Sequence, residues 1–130
     1  NYLKALPVKI IMHNIGTVDS IGNIIFSAGE ERYASPHSTF LFHGVKMNIN
    51  QGSGLSVEQL GELRSRLDSD QLKIAGILQE NTNLNEEEIL GFFREGESKD
   101  AEFAREKGIV HDIRIAKIPE GAPFITININ

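Results

Sequence analysis

Residues 14–44 read NIGTVDSIGNIIFSAGEERYASPHSTFLFHG, and the order of the fold elements turns on how this stretch is parsed. It interrupts an apolar run with glycines and sets Ser20 between Asp19 and Ile21. Ile21, Ile24, Ile25 and Ala28 then stand at helical spacings, with Gly29 placed as a stop. "RYA" and "TFLFH" read as two short strands parted by the turn residues "SPHS". Upstream, "VKIIMHN" reads as a buried strand, and "NYLKAL" as the last turn of a helix that Pro7 stops, because the residue before proline is driven out of the helical region.

Downstream, "NINQGSG" is a glycine-punctuated loop, and Ser56 with Gln59 has the form of a capping box opening a long helix. Leu60, Leu63, Leu67, Ile74 and Leu78 fall on one stripe of that helix, while Leu72 points elsewhere and calls for a second partner surface, either within the monomer or in an assembly. Asn85 is placed to cap a short helix whose first turn, "EEE", complements the positive helix end. Asp100 caps another that Gly108 ends, and "GIVHDIRI" and "FITINI" read as closing strands. Strands alternating with helices predict an α/β layered fold. No repeat or linker divides residues 1–130, so a single domain is expected.

With 130 residues, 40% hydrophobic and 24% charged, the chain is long enough to bury one core and too apolar to stay disordered. Eighteen acidic against thirteen basic residues, with no cluster of lysine or arginine, argue against a nucleic-acid partner. The absence of cysteine suits a reducing cytoplasm and leaves neither a disulfide framework nor a thiolate metal site. No apolar run approaches the roughly 20 residues that span a bilayer, so no membrane partner is expected. There is no H-E-x-x-H zinc signature and no P-loop, hence no metal or cofactor is expected, and the N-x-N strings near Asn48 and Asn128 carry no chemistry.

A strand that turns sharply into a helix exposes the first helical side chain beside backbone N–H groups at the positive helix end. Ser20 stands at such a turn, where it can act as a nucleophile with the Ile21 N–H facing its oxyanion, or where it or Asp19 can serve as an N-cap. Gly16 and Gly22 permit the tight turn and close backbone approach. The hydrolase elbow G-x-S-x-G is not matched, because Val18 occupies its first glycine position. Four histidines are available as a base: His37 in a turn, His13 within the first strand, His111 near a late strand, and His43 where "TFLFHG" ends and glycine frees the backbone.

Taken together, residues 14–44 resemble the catalytic core of the ClpP-type serine peptidases. The family's glycine, three residues, serine, one residue, glycine pattern is matched by Gly16, Ser20 and Gly22. Its small-residue helix end is matched by "SAG", its buried strand and turn by "RYASPHS", and its histidine-terminated strand by "FLFH". Ser20 and His43 are 23 residues apart, close to the family's spacing, and "EFAREKGIVHDI" resembles the helix and strand that close those domains.

The resemblance implies a ClpP/crotonase-like fold of layered β-α units with a long protruding handle helix, here the helix opening near Ser56. It implies Ser20 as nucleophile, His43 as general base and the Ile21 N–H as an oxyanion donor, acting on unfolded peptides within a homo-oligomeric ring served by an ATP-dependent unfoldase. The sequence departs from the family in two places. The acid that completes the triad falls by ungapped match on Gly96, between Glu95 and Glu97, which leaves either glutamate or a bare serine and histidine pair. The family's glycine-rich loop supplying the second oxyanion donor, and most of the helix after it, are not in this sequence, which opens at Asn1 and reads as an excerpt of a longer protein. The chain alone is therefore expected to be a poor catalyst. Gly96 and the unusual "TVD" before Ser20 also suit a catalytically silent scaffold subunit, and the wider superfamily leaves an acyl-CoA binder open.

Overall fold

The computed structural model of the chain describes residues 2–49, 52, 54–123 and 125–126. It is a mixed α/β fold with two three-stranded sheets. After a single 3-10 turn over Leu3–Ala5 the elements run β1 (Ile11–Asn14), β2 (Thr17–Asp19), α1 (Ile21–Phe26), β3 (Glu31–Ala34), β4 (Thr39–Leu41), α2 (Val57–Asn81), α3 (Glu86–Glu95), β5 (Ser98–Asp100), α4 (Ala101–Glu106) and β6 (Asp112–Ile113).

One sheet has the order β1-β3-β6 and is parallel throughout; in the other, β2 is parallel to β4, which pairs antiparallel with β5. The two parallel pairs β1·β3 and β2·β4 interleave along the chain, and both of their crossovers run through α1. This topology decides where the interesting side chains lie. Asp19 at the end of β2 sits opposite Leu41 at the end of β4, so Ser20 and His43, one and two residues further on, emerge at the same sheet edge.

Capping follows the sequence wherever it is local. Ser56 accepts the Gln59 N–H and Gln59 reaches back to Ser56, the full capping box that opens the 25-residue helix α2. Asn85 and Glu88 form a second box at α3, and Asp100 accepts from Phe103 at α4. Gly96 and Gly108 follow α3 and α4 with positive φ, the left-handed conformation that glycine adopts without a Cβ penalty.

Several expected strands are shorter or differ. The strand in "VKIIMHN" is confined to Ile11–Asn14, and that in "GIVHDIRI" to Asp112–Ile113. Ile109 and Val110 are buried instead as loop residues, their N–H groups both turned to the Ala104 carbonyl. Of the strand expected in "FITINI", Ile125 and Thr126 carry none, while Phe124 and residues 127–130 lie outside the described residues. Strand β2 has no counterpart among the expected elements, since its apolar content is a single valine and its partner lies 22 residues away.

The core gathers Phe26, Phe40, Phe42, Leu78, Ile89 and Phe93 with small residues from α2 and α4. Phe26 meets Phe40 edge to face at 5.2 Å between ring centroids. Only the C-terminal part of α2 reaches this core, through Ala75 and Leu78. Residues 57–73 of the helix include none that is buried, and Leu60 on the expected stripe and Leu72 off it are equally exposed, at 51% each. Among the described residues, no helix is long and apolar enough to cross a membrane.

Candidate active site

Ser20 occupies the N-cap position of α1, yet its hydroxyl makes no capping bond. Nor does Asp19 cap, so the capping reading of this turn is not what the structure has. The backbone of Ser20 is instead in an unusual conformation, φ 53° and ψ −120°, and Ser20 is the one non-glycine residue with positive φ among those described. Such a conformation costs about 1–3 kcal/mol for an L-residue and persists only where its surroundings hold it. Here the holding is done by hydrogen bonds: the Ser20 N–H donates to the Leu41 carbonyl at 3.0 Å, and the Ser20 carbonyl accepts the Asn23 N–H at 3.1 Å.

Of the two flanking glycines, Gly22 is closely approached, and a Cβ there would stand 3.3 Å from Val18 Cγ1, so that side chain would have to give by a few tenths of an ångström. Gly16 has open space around it and no positive φ, so close approach does not explain that glycine. Its N–H is instead taken by the Asn14 side chain at 3.0 Å, in a local turn.

His43 is fixed by backbone pairing on either side. The Phe42 N–H donates to the Glu97 carbonyl at 2.8 Å and the Gly44 N–H to the Phe93 carbonyl at 3.0 Å. Gly44 admits no other residue without a shift, since a Cβ would meet Gln71 Oε1 at 2.7 Å and the Phe93 carbonyl at 3.2 Å. The His43 ring, half-buried, has Nδ1 at 2.8 Å from the Gly44 carbonyl. A carbonyl only accepts, so this contact assigns the proton to Nδ1 and leaves Nε2 with a free lone pair.

Ser20, Ile21 and His43 line one cavity of about 300 Å³, walled by Phe42, Ile74 and Phe93 and with Lys46 on its lining. No hydrogen bond joins Ser20 Oγ to His43; bonds between a nucleophile and its base are commonly long in a free site and tighten only around substrate. Being in the first turn of α1, the Ile21 N–H has no intrahelical acceptor. A hydroxyl, a ring nitrogen with a free lone pair and an unengaged N–H thus share one apolar recess.

The glutamates beside Gly96 do not reach this ring: neither Glu95 nor Glu97 makes a hydrogen bond with His43. The Lys99 ammonium pairs with the Glu97 carboxylate and holds its pKa below the usual value, while the bond to Glu97 pushes Glu95 above it. Lys99 is itself seated over the Phe92 ring at 4.5 Å. Gly96, the position that the family resemblance gives to an acid, is the left-handed cap that ends α3.

The other histidines are engaged elsewhere. His13 Nε2 donates to the Arg114 carbonyl at 2.9 Å, a strand-end role. His111 Nδ1 accepts the Arg32 N–H at 3.0 Å, and loss of hydration, followed by the Arg32 charge, pushes its pKa down. His37 lies exposed in its turn. A second cavity, of about 360 Å³, lies beside Lys4, Glu30 and Arg32. The Arg32 guanidinium there is committed to the carbonyls of Ser27, Gly29, Asn81, Gly108 and Ile109, so it serves the fold.

Two residues of structural weight carry no signal in the sequence, Arg32 and Asn23. Both are buried polar side chains that reach acceptors far away in the chain as well as near ones, and neither belongs to a recognisable motif. Among the described residues no group of three or more histidine, aspartate or glutamate side chains is placed to hold a metal ion.

No curated protein sequence matches the chain significantly. The family model described as Clp protease matches residues 1–117, which takes in strands β1 to β6, helices α1 to α4 and the cavity that Ser20 shares with His43. The chain belongs to the Clp protease family.

Proposed function

We propose that the chain is a single ClpP-type domain, a cytoplasmic serine peptidase subunit that cleaves unfolded peptide segments by acyl transfer within a homo-oligomeric ring fed by an ATP-driven unfoldase. The observation that carries this reading is the shared cavity, with an uncapped Ser20 hydroxyl on one side and a His43 ring turned by the Gly44 carbonyl on the other.

In this mechanism Ser20 Oγ attacks the scissile carbonyl carbon as its proton passes to His43 Nε2. The negative charge that develops on the carbonyl oxygen faces the Ile21 N–H. Collapse of the tetrahedral intermediate breaks the C–N bond, and the leaving amine takes the proton back from His43. Water then repeats the sequence on the acyl-enzyme. The Gly44 carbonyl supplies the orienting half of what a triad acid does. Being neutral, it stabilises the imidazolium less than a carboxylate does, so turnover is slower than in a complete triad. Leu60 and Leu72, both exposed on α2, support assembly with one ring facing another.

Labelling with a serine-reactive phosphonate tests the chemistry. Label is expected on Ser20, lost in Ser20→Ala and slowed about 10²- to 10⁴-fold in His43→Ala. An intact full-length protein that takes no label at Ser20 overturns the nucleophile. The second reading, a silent scaffold subunit, draws on Gly96 and on the missing bond between Ser20 and His43. A ring by light scattering together with no peptide hydrolysis selects it. Family membership favours both over acyl-CoA binding, which a thermal shift with acyl-CoA would restore.

A further inference from the structure

Asn23 is the third residue of α1 and is buried, with 4% of its surface exposed. Its side-chain Nδ2 donates to two backbone carbonyls, that of Leu41 at 2.8 Å and that of Ser20 at 3.2 Å. Its own N–H donates to the Ser20 carbonyl as well, at 3.1 Å. The other side-chain atom, Oδ1, is buried without a partner. Turning the amide over would set Oδ1 against two carbonyl oxygens, so the two acceptors fix its orientation. A buried polar atom without a partner is uncommon, and what this side chain contributes lies in the two bonds of Nδ2.

We infer that Asn23 is a positioning residue that aims the Ile21 N–H and holds Ser20 against the strand carrying His43. The inference rests on the peptidase reading for its chemistry and on planar peptide geometry for its mechanics. The Ser20–Ile21 peptide is trans, so its C=O and N–H point in opposite directions. Asn23 draws the carbonyl toward the helix interior with two donors, and the N–H of the same plane is thereby turned outward, on the side where Ser20 and Ile21 line the cavity. The second Nδ2 bond reaches Leu41, the residue that also receives the Ser20 N–H. One amide thus ties the strained turn to the end of β4, two residues before His43.

The test uses Asn23→Ala and the isosteric Asn23→Asp, which keeps the shape and removes the paired donors, in the full chain. Peptide hydrolysis is expected to fall 10- to 100-fold in kcat with KM within twofold, because a misaimed donor is felt where charge develops and not in the ground state; removing one such donor outright costs about 10²- to 10³-fold. Phosphonate labelling of Ser20 should slow by the same factor in protein shown to be folded by its melting curve. A crystal structure of the variant reads the mechanics independently of activity and should show the Ser20–Ile21 peptide rotated. Unchanged kcat, or a Ser20–Ile21 peptide that keeps its orientation in both variants, overturns the inference. A wild-type chain that takes no label while the variant peptide rotates sinks the peptidase reading and leaves the positioning role standing.

Discussion

The Ser20 N–H and the Leu41 carbonyl meet at 3.0 Å, across the ends of two parallel strands that the chain visits 22 residues apart. Strand β4 therefore does two things at once: it leads into His43, two residues past its end, and it sets the turn on which Ser20 stands. The relation between hydroxyl and imidazole follows from sheet register, and a slip in that register would part them.

Replacing Ser20 by glycine separates stability from chemistry. Glycine adopts positive φ without strain, and no capping bond is lost because the hydroxyl makes none. Ser20→Gly is expected to raise stability by about 1 kcal/mol while abolishing phosphonate labelling. Chemical denaturation of the two proteins measures the first, and mass spectrometry of the labelled protein the second.

Arg32 joins α1's C-terminal turn, the end of α2 and the loop after α4 through five carbonyls. Arg32→Met keeps the aliphatic stem and strands those acceptors in a buried place. A loss of about 3 kcal/mol or more is expected, read from the midpoint of urea unfolding.

His111 gives the fold a mild acid sensitivity. Its pKa is lowered in the folded state from an ordinary 6.5, by loss of hydration and then by the Arg32 charge, and the neutral ring is the form whose Nδ1 accepts the Arg32 N–H. Folding thus favours the neutral ring, and this contribution is whole above 6.5 and is lost as pH falls below it toward the folded-state value. The melting temperature should drop between pH 7 and 5, and His111→Asn, whose Oδ1 can accept in place of Nδ1, should flatten that drop.

Leu72 is half exposed on α2, three residues before the buried Ala75. Leu72→Glu is expected to change the stability of the isolated chain by no more than about 0.5 kcal/mol, as for other surface changes. In light scattering the assembled mass should fall. An unchanged mass would remove this face from the assembly.

What is legible in the sequence is what residues three or four apart decide. The boxes at Ser56 and Asn85, the cap at Asp100 and the stops at Gly96 and Gly108 all close within a turn of chain, and helices α2, α3 and α4 can be read from them. Strand β2 is hidden because its three residues gain strand geometry only from β4. The cavity is half legible. Ser20 and His43 stand out by spacing and resemblance, whereas Asn23 looks like any polar residue on a short helix until its reach to Leu41 is visible.

The conformation of Ser20 also limits what can replace it. Threonine carries the same hydroxyl, but its branched Cβ is poorly tolerated at φ 53°, where even an unbranched residue is strained. Among nucleophilic side chains, those with a single γ atom, the alcohol of serine or the thiol of cysteine, suit this bend better than a branched one. The backbone thus chooses between reagents of nearly equal chemistry by their girth.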